Sequence, residues 1–145
     1  MSKIEVDNIS NASGSIDIPL DNIANGYAKA WVNFNAQGVI AIRDSFNVSS
    51  ITDNGTGDFT VNFTNNLANN NYVTNIETSR ESAAIGNNII GTEIDVQDPF
   101  PIFYSASFFK FVTYYYAGPS TSNVTVAWDP RAVYVKCHAN FNTIF

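Results

Sequence analysis

Polar and apolar residues trade places at every second position through much of this chain, most clearly from Trp31 onward. Side chains of an extended strand point alternately to opposite faces, so this rhythm predicts strands with one buried face. The candidate strands are residues 31–34, 39–51, 59–64, 72–77, 89–96, 103–116, 124–128 and 132–141. Asn, Gly, Pro and Ser cluster between them at the intervals of a β-sandwich. No long stretch has apolar residues at helical spacing, and residues 80–85 offer one helical turn at most. No internal repeat is present, which excludes solenoids and propellers. The expected fold is all-β: an antiparallel β-sandwich, jelly-roll-like, with almost no helix.

The clearest local signal is a hairpin. An alternating run around Phe46 and Val48 leads to a glycine-rich tip at residues 53–58 and then to Phe59, Val61 and Phe63. Gly55 and Gly57 supply the positive φ angles that a tight reversal requires. Residues 108–116 (FFKFVTYYY) are apolar or aromatic on both faces, so water is expected to reach neither face freely. The last strand sets Val133, Val135, Cys137, Ala139 and Phe141 against Tyr134, Lys136, His138 and Asn140, one core face and one polar face.

Residues 1–27 differ from the rest. Ile4, Val6 and Ile9, then Ile16, Ile18 and Leu20, alternate with polar residues in two short strand-like pieces separated by Asn11–Ser15. Such a segment buries too little apolar surface to order itself. It reads as an arm that docks on its own domain or on a neighbouring subunit, ahead of a sandwich domain at 28–145. One domain of 145 residues suffices for one core.

Composition narrows the partners. Charged residues make up 14% of the chain, against roughly 25% in ordinary soluble domains. Asn, Ser and Thr must therefore cover the surface, or neighbouring subunits must. A net charge of -6 without a basic patch argues against nucleic acid or an anionic membrane. Residues 1–7 lack the apolar core of a signal peptide, and no apolar run reaches membrane-spanning length. The chain is expected to be made in the cytoplasm and kept there or assembled there into a particle, without membrane insertion.

Chemistry is sparse. Cys137 is the only cysteine, which excludes an intrachain disulfide, and reads as a small buried hydrophobe. His138 is the only histidine, and its side chain must point away from that of Cys137 within one strand. The Asp53–Asp58 stretch lacks the ligand spacing of a helical calcium loop, so it reads as a turn. Glu93, Asp95 and Asp98 read as strand-edge or loop charges that discourage unwanted pairing. The Asn-x-Ser/Thr sequons at Asn47, Asn62 and Asn123 are expected by chance in so polar a chain. No catalytic, metal or cofactor site is expected. The binding candidates are Tyr114, Tyr116, Phe100 and Phe103, as sugar-stacking rings or as core and subunit interface, the latter favoured because aromatics dominate both.

Three segments together are similar to a module of tail-fibre proteins in tailed bacteriophages, especially short-tailed phages of cyanobacteria and marine bacteria. They are residues 28–35 (AKAWVNFN), 42–51 (IRDSFNVSSI) and 52–63 (TDNGTGDFTVNF). The resemblance implies a non-enzymatic virion protein, a homotrimer of β-domains at a fibre end that meets host surface polysaccharide or protein. Fibres of this family carry an adaptor and shaft ahead of the module. The short segment before the motif therefore suggests an alternative: a capsid-decoration (cement) protein or head fibre whose arm clasps the shell. In either case the partners are copies of itself and other virion proteins of tail or capsid, and the location is a virion assembled in the host cytoplasm.

Overall fold

The computed structural model describes residues 6–79, 89–93, 104–117 and 124–139. It opens with a small hairpin of β1 (Asn8–Ser10) and β2 (Asp17–Pro19), in which Ile9 lies opposite Ile18. Asn11 closes the turn: its carbonyl accepts from Gly14 N–H at 3.0 Å and its side-chain oxygen from Ile16 N–H at 3.0 Å. Next comes α1 (Leu20–Gly26), which begins directly after Pro19. Alternation placed Leu20 in a strand-like piece, whereas it is the first helical residue. The fixed φ of proline suits a helix start, and its missing N–H costs nothing there.

The sandwich proper has two sheets. One contains β3 (Ala30–Asn35), β4 (Ala41–Phe46), β7 (Val73–Thr78) and β11 (Val133–His138), in the order β4-β3-β11-β7. The other contains β5 (Val48–Gly55), β6 (Asp58–Phe63), β8 (Ile89–Glu93), β9 (Phe108–Ala117) and β10 (Val124–Ala127). Its order is β10-β9-β6-β5, with β8 also pairing β9. Every described pairing is antiparallel. The all-β sandwich expected from the alternation is the fold found.

Alternation carries directly into packing. Val32, Phe34, Val133, Val135 and Cys137 point inward from one sheet and meet Phe59, Val61, Phe63, Phe109 and Phe111 from the other. Each large side chain removed from water contributes about 1.5–3 kcal/mol. Aromatic rings link the sheets: Phe34 meets Phe59 edge-on at 5.7 Å between ring centres, and Phe59 continues to Phe111 at 5.7 Å. At the other end Tyr72 meets Tyr104 edge-on at 4.9 Å. The Tyr72 hydroxyl lies 3.0 and 2.9 Å from the carbonyls of Ser105 and Phe108, so its polar tip is satisfied inside the core.

The alternating run over 39–51, expected as one strand, is two strands in different sheets. The break is Asn47, whose φ of 55° lies in the left-handed region. Asparagine tolerates that region better than most residues because its short side chain bonds locally. Here the amide nitrogen donates to the carbonyls of Lys29 at 3.2 Å and Asn65 at 3.1 Å, and its oxygen accepts from Asn65 N–H at 2.8 Å. The corner parts Phe46 from Val48: Val48 is buried between the sheets, while Phe46 is 49% exposed.

Candidate functional site

The glycine-rich tip is a turn whose polar groups serve the turn itself. Gly55 and Gly57 have φ of 138° and 73°, as the reversal requires. Asp53 accepts from Gly55 N–H at 3.0 Å, Asn54 reaches Thr60 at 2.9 Å, and Asp58 pairs with Lys110 at 3.0 Å. The tip is also clasped from outside. Thr113 N–H donates to the Gly57 carbonyl at 2.7 Å, and Asp129 accepts from Gly57 N–H at 2.6 Å. Trp128 N–H donates to the Thr113 carbonyl at 3.2 Å. A strand residue's N–H and C=O point to the same edge. So β6 and β10 share one edge of β9, and the change-over falls at Thr113, whose hydroxyl donates to the Trp128 carbonyl. Nothing in the glycine pattern of the sequence foretold this clasp.

Cys137 and His138 lie on opposite faces of β11, as strand geometry required: Cys137 is buried and His138 exposed. Burial pushes the Cys137 thiol up to about 12, away from nucleophilic use. Burial, then the neighbouring Cys137 and Tyr104, likewise raises the Tyr72 hydroxyl. Among the described residues, no three His, Cys, Asp or Glu side chains are arranged to hold a metal ion. No helix among them is long and apolar enough to cross a membrane.

Within β9, Phe109, Phe111 and Thr113 are fully buried, while Phe108, Lys110, Val112 and Tyr114 on the other face are half-buried. Tyr114 and Tyr116 share that second face by register, Tyr116 pairing through its backbone with Ile89 and Thr125. The Tyr116 side chain and all of Phe100 and Phe103 lie outside the described residues, as do Asp95 and Asp98 and the Glu93 side chain.

A second aromatic face went unread in the sequence. On the outer side of the four-stranded sheet, Phe46, Trp31, Lys136 and Asn75 form one register row, and Asp44, Asn33, Tyr134 and Glu77 the next. Phe46 and Tyr134 are exposed there and Trp31 is half-buried. The polar alternation of β11 announced half of this face. Apolar Trp31 and Phe46 gave no sign of lying outside the core.

The arm is another exposed apolar surface. Val6, Ile9, Ile16 and Ile18 are all exposed and Leu20 is half-buried; Ile4 lies outside the described residues. Exposure of Ile16 reaches 55%, against 0% for Phe34 in the core. The arm joins the sandwich at Lys29, whose N–H donates to the Cys137 carbonyl at 2.8 Å. The Lys29 ammonium sits 3.7 Å over the Tyr27 ring, and burial lowers its proton affinity.

Comparison with known protein families, curated proteins and solved structures gives no match.

Proposed function

We propose that this chain is a non-enzymatic structural subunit of a tailed-phage virion, a homotrimeric tail-fibre or tip module for host attachment. One observation carries the reading: every core residue among those described belongs to the sandwich, while the arm leaves Val6, Ile9, Ile16 and Ile18 exposed. A two-stranded hairpin with so little burial is not stable alone, so the arm is built to be covered by a neighbour. The resemblance supports the same reading, because the shared segments at 28–63 supply β3 to β6, the frame of the fold rather than a catalytic loop. Aromatic rings set among amides and carboxylates suit stacking on sugars, and this reading assigns the outer face around Trp31 and Tyr134 to host polysaccharide.

The exposed arm also favours a second reading, capsid decoration with the arm clasping the shell. Gold labelling of intact particles against this protein tests both. Label at the tail supports the fibre reading, label over the head supports decoration, and unlabelled particles with the protein left in the soluble fraction would dismiss both.

A further inference from the structure

Three aromatic side chains stand in line on the outer side of the four-stranded sheet. Phe46 lies directly opposite Trp31, and Tyr134 lies on the next strand, two residues along from the Trp31 partner Lys136. Directly opposed side chains start about 5 Å apart and diagonal ones about 7–8 Å. The line therefore runs obliquely over β4, β3 and β11 for roughly 12 Å. Phe46 and Tyr134 are exposed and Trp31 is half-buried, so ring surface reaches solvent along its whole length.

Polar groups flank the line on both sides. Asp44 and Asn33 occupy the next row beside Phe46 and Trp31, Lys136 and Asn75 continue the first row beyond Trp31, and Glu77 lies beside Tyr134. Arg43 donates to the Asn33 side-chain oxygen at 3.1 Å, which leaves the Asn33 amide nitrogen to donate. One Asp44 oxygen accepts from Ser45 N–H at 2.8 Å, and the other remains to accept. Among the described residues, the side-chain polar groups of Lys136, Asn75, Glu77 and Tyr134 enter no hydrogen bond or ion pair.

Charge set among the rings selects the occupant. A dry protein partner would have to bury Asp44, Lys136 and Glu77, and the centres of protein interfaces are poor in charge for that reason. A polyanion would meet two carboxylates against one ammonium in these rows, with Arg43 taken up by the Phe34 and Arg131 carbonyls. Hydroxyl groups suit every flank: they donate to Asp44 and Glu77 and accept from Lys136 and Asn33. The apolar faces of pyranose rings suit the aromatics between them. The geometry points to a binding track for a neutral hexopyranose polysaccharide, with Phe46, Trp31 and Tyr134 as stacking platform and Asp44, Glu77 and Lys136 as hydroxyl contacts. This assignment rests on the polysaccharide reading above, yet purified chain tests it without particles, so the two can fail separately.

Native electrophoresis of the full chain through gels containing dextran, mannan, galactan or the acidic polymer alginate reads binding as retardation. At least one of the three neutral polymers should retard the chain, and alginate should not. Tyr134→Ala and Phe46→Ala, both at exposed sites, should each weaken that binding at least about tenfold while melting stays unchanged. Glu77→Gln should weaken it less, since an amide oxygen still accepts, and Val39→Ala, exposed at the β3–β4 turn and outside the line, should bind as the parent does. No retardation by any neutral polymer, equal retardation by alginate, or retardation that survives both ring substitutions would each overturn the track. Light scattering covers the remaining occupant: a parent oligomer that Tyr134→Ala dissociates would give this face to a second copy and overturn the track as well.

Discussion

Replacing Gly57 by alanine isolates the clasp that joins β6, β9 and β10. A Cβ on Gly57 would lie 2.5 Å from the Thr113 carbonyl oxygen, 2.8 Å from Trp128 N and 3.2 Å from the Ala127 Cβ. The first two are backbone atoms that cannot swing aside, so strand β10 or the hairpin tip must shift. The matched control is Gly38→Ala. Gly38 has nearly the same φ, +66° against +73°, but nothing lies within 4 Å of its added Cβ. Both substitutions carry the left-handed penalty of about 1–2 kcal/mol, partly offset by a stiffer unfolded chain. Gly57→Ala alone also disturbs the bonds from Thr113, Trp128 and Gly57 itself, worth about 1 kcal/mol each. The expected losses are about 1 kcal/mol for Gly38→Ala and about 3–4 kcal/mol for Gly57→Ala.

Urea unfolding followed by tryptophan fluorescence suits the comparison, because Trp128 belongs to the clasp. For a chain of this size the losses correspond to melting shifts of roughly 3 °C and 10–15 °C. Equal losses for the two alanines would refute the close approach and leave only backbone conformation. A large loss for both would place the β3–β4 turn among the tight ones.

At the corner, Asn47→Gly should be milder than Asn47→Ala, since glycine relieves the φ of 55° while both lose the side-chain bonds; the alanine should cost about 2–3 kcal/mol in denaturant titration, and the opposite order would count against the corner. The contribution of Cys137 to stability should be constant below pH 9, its ordinary value, and be lost as pH rises toward its buried value of about 12, because the unfolded chain releases a proton that the folded one keeps. Between pH 9 and the ordinary tyrosine value near 10 the slope should rise toward about 1.4 kcal/mol per pH unit and should flatten in Cys137→Ala, while above it the raised Tyr72 hydroxyl adds a second decline that this substitution leaves, as read by urea midpoints against pH. Removing residues 1–27 should leave melting within a few degrees, as the core begins at Ala30; a collapse in melting would show that the arm supports its own sandwich. Tyr134→Ala on the exposed outer face should leave melting unchanged and lower host adsorption at least about tenfold, and full adsorption would remove that face from recognition.

Period-two alternation made β3, β6 and β11 legible, because each has one face in the core and one toward solvent. The same signal concealed the corner at Asn47. Phe46 and Val48 keep the rhythm unbroken in sequence while the backbone turns between sheets, and periodicity records side-chain spacing rather than backbone direction. Leu20 failed for a related reason: Ile18 and Leu20 fit a strand, but Leu20 and Ile23 fit a helix equally well, and so short a window cannot separate the two. The N-terminal arm was legible as alternating and underburied. Its short helix was not, since a strand's pattern marks an apolar face without fixing where the strand ends. The outer aromatics were missed because Trp and Phe suggest a core, and an edge strand such as β4 exposes both of its faces.

The low charge content also has a structural explanation within the sandwich. Several positions across neighbouring strands are joined by neutral groups. Asn62 spans Ser50 at 3.1 Å and Thr52 at 3.0 Å across the β5–β6 pair, Asn54 does the same with Thr60, and Thr74 meets the Tyr104 hydroxyl at 2.8 Å. Amide and hydroxyl bonds are insensitive to salt and do not titrate between pH 5 and 9, whereas exposed ion pairs weaken in both respects. One ion pair, Lys110 with Asp58, is only partly buried and so contributes about 1 kcal/mol or less. A sandwich stapled in this way keeps its fold as ionic conditions change. Raising ionic strength should therefore leave the urea midpoint nearly unchanged, as titrations at low and high salt would read, and a large shift would show that exposed charges carry the fold.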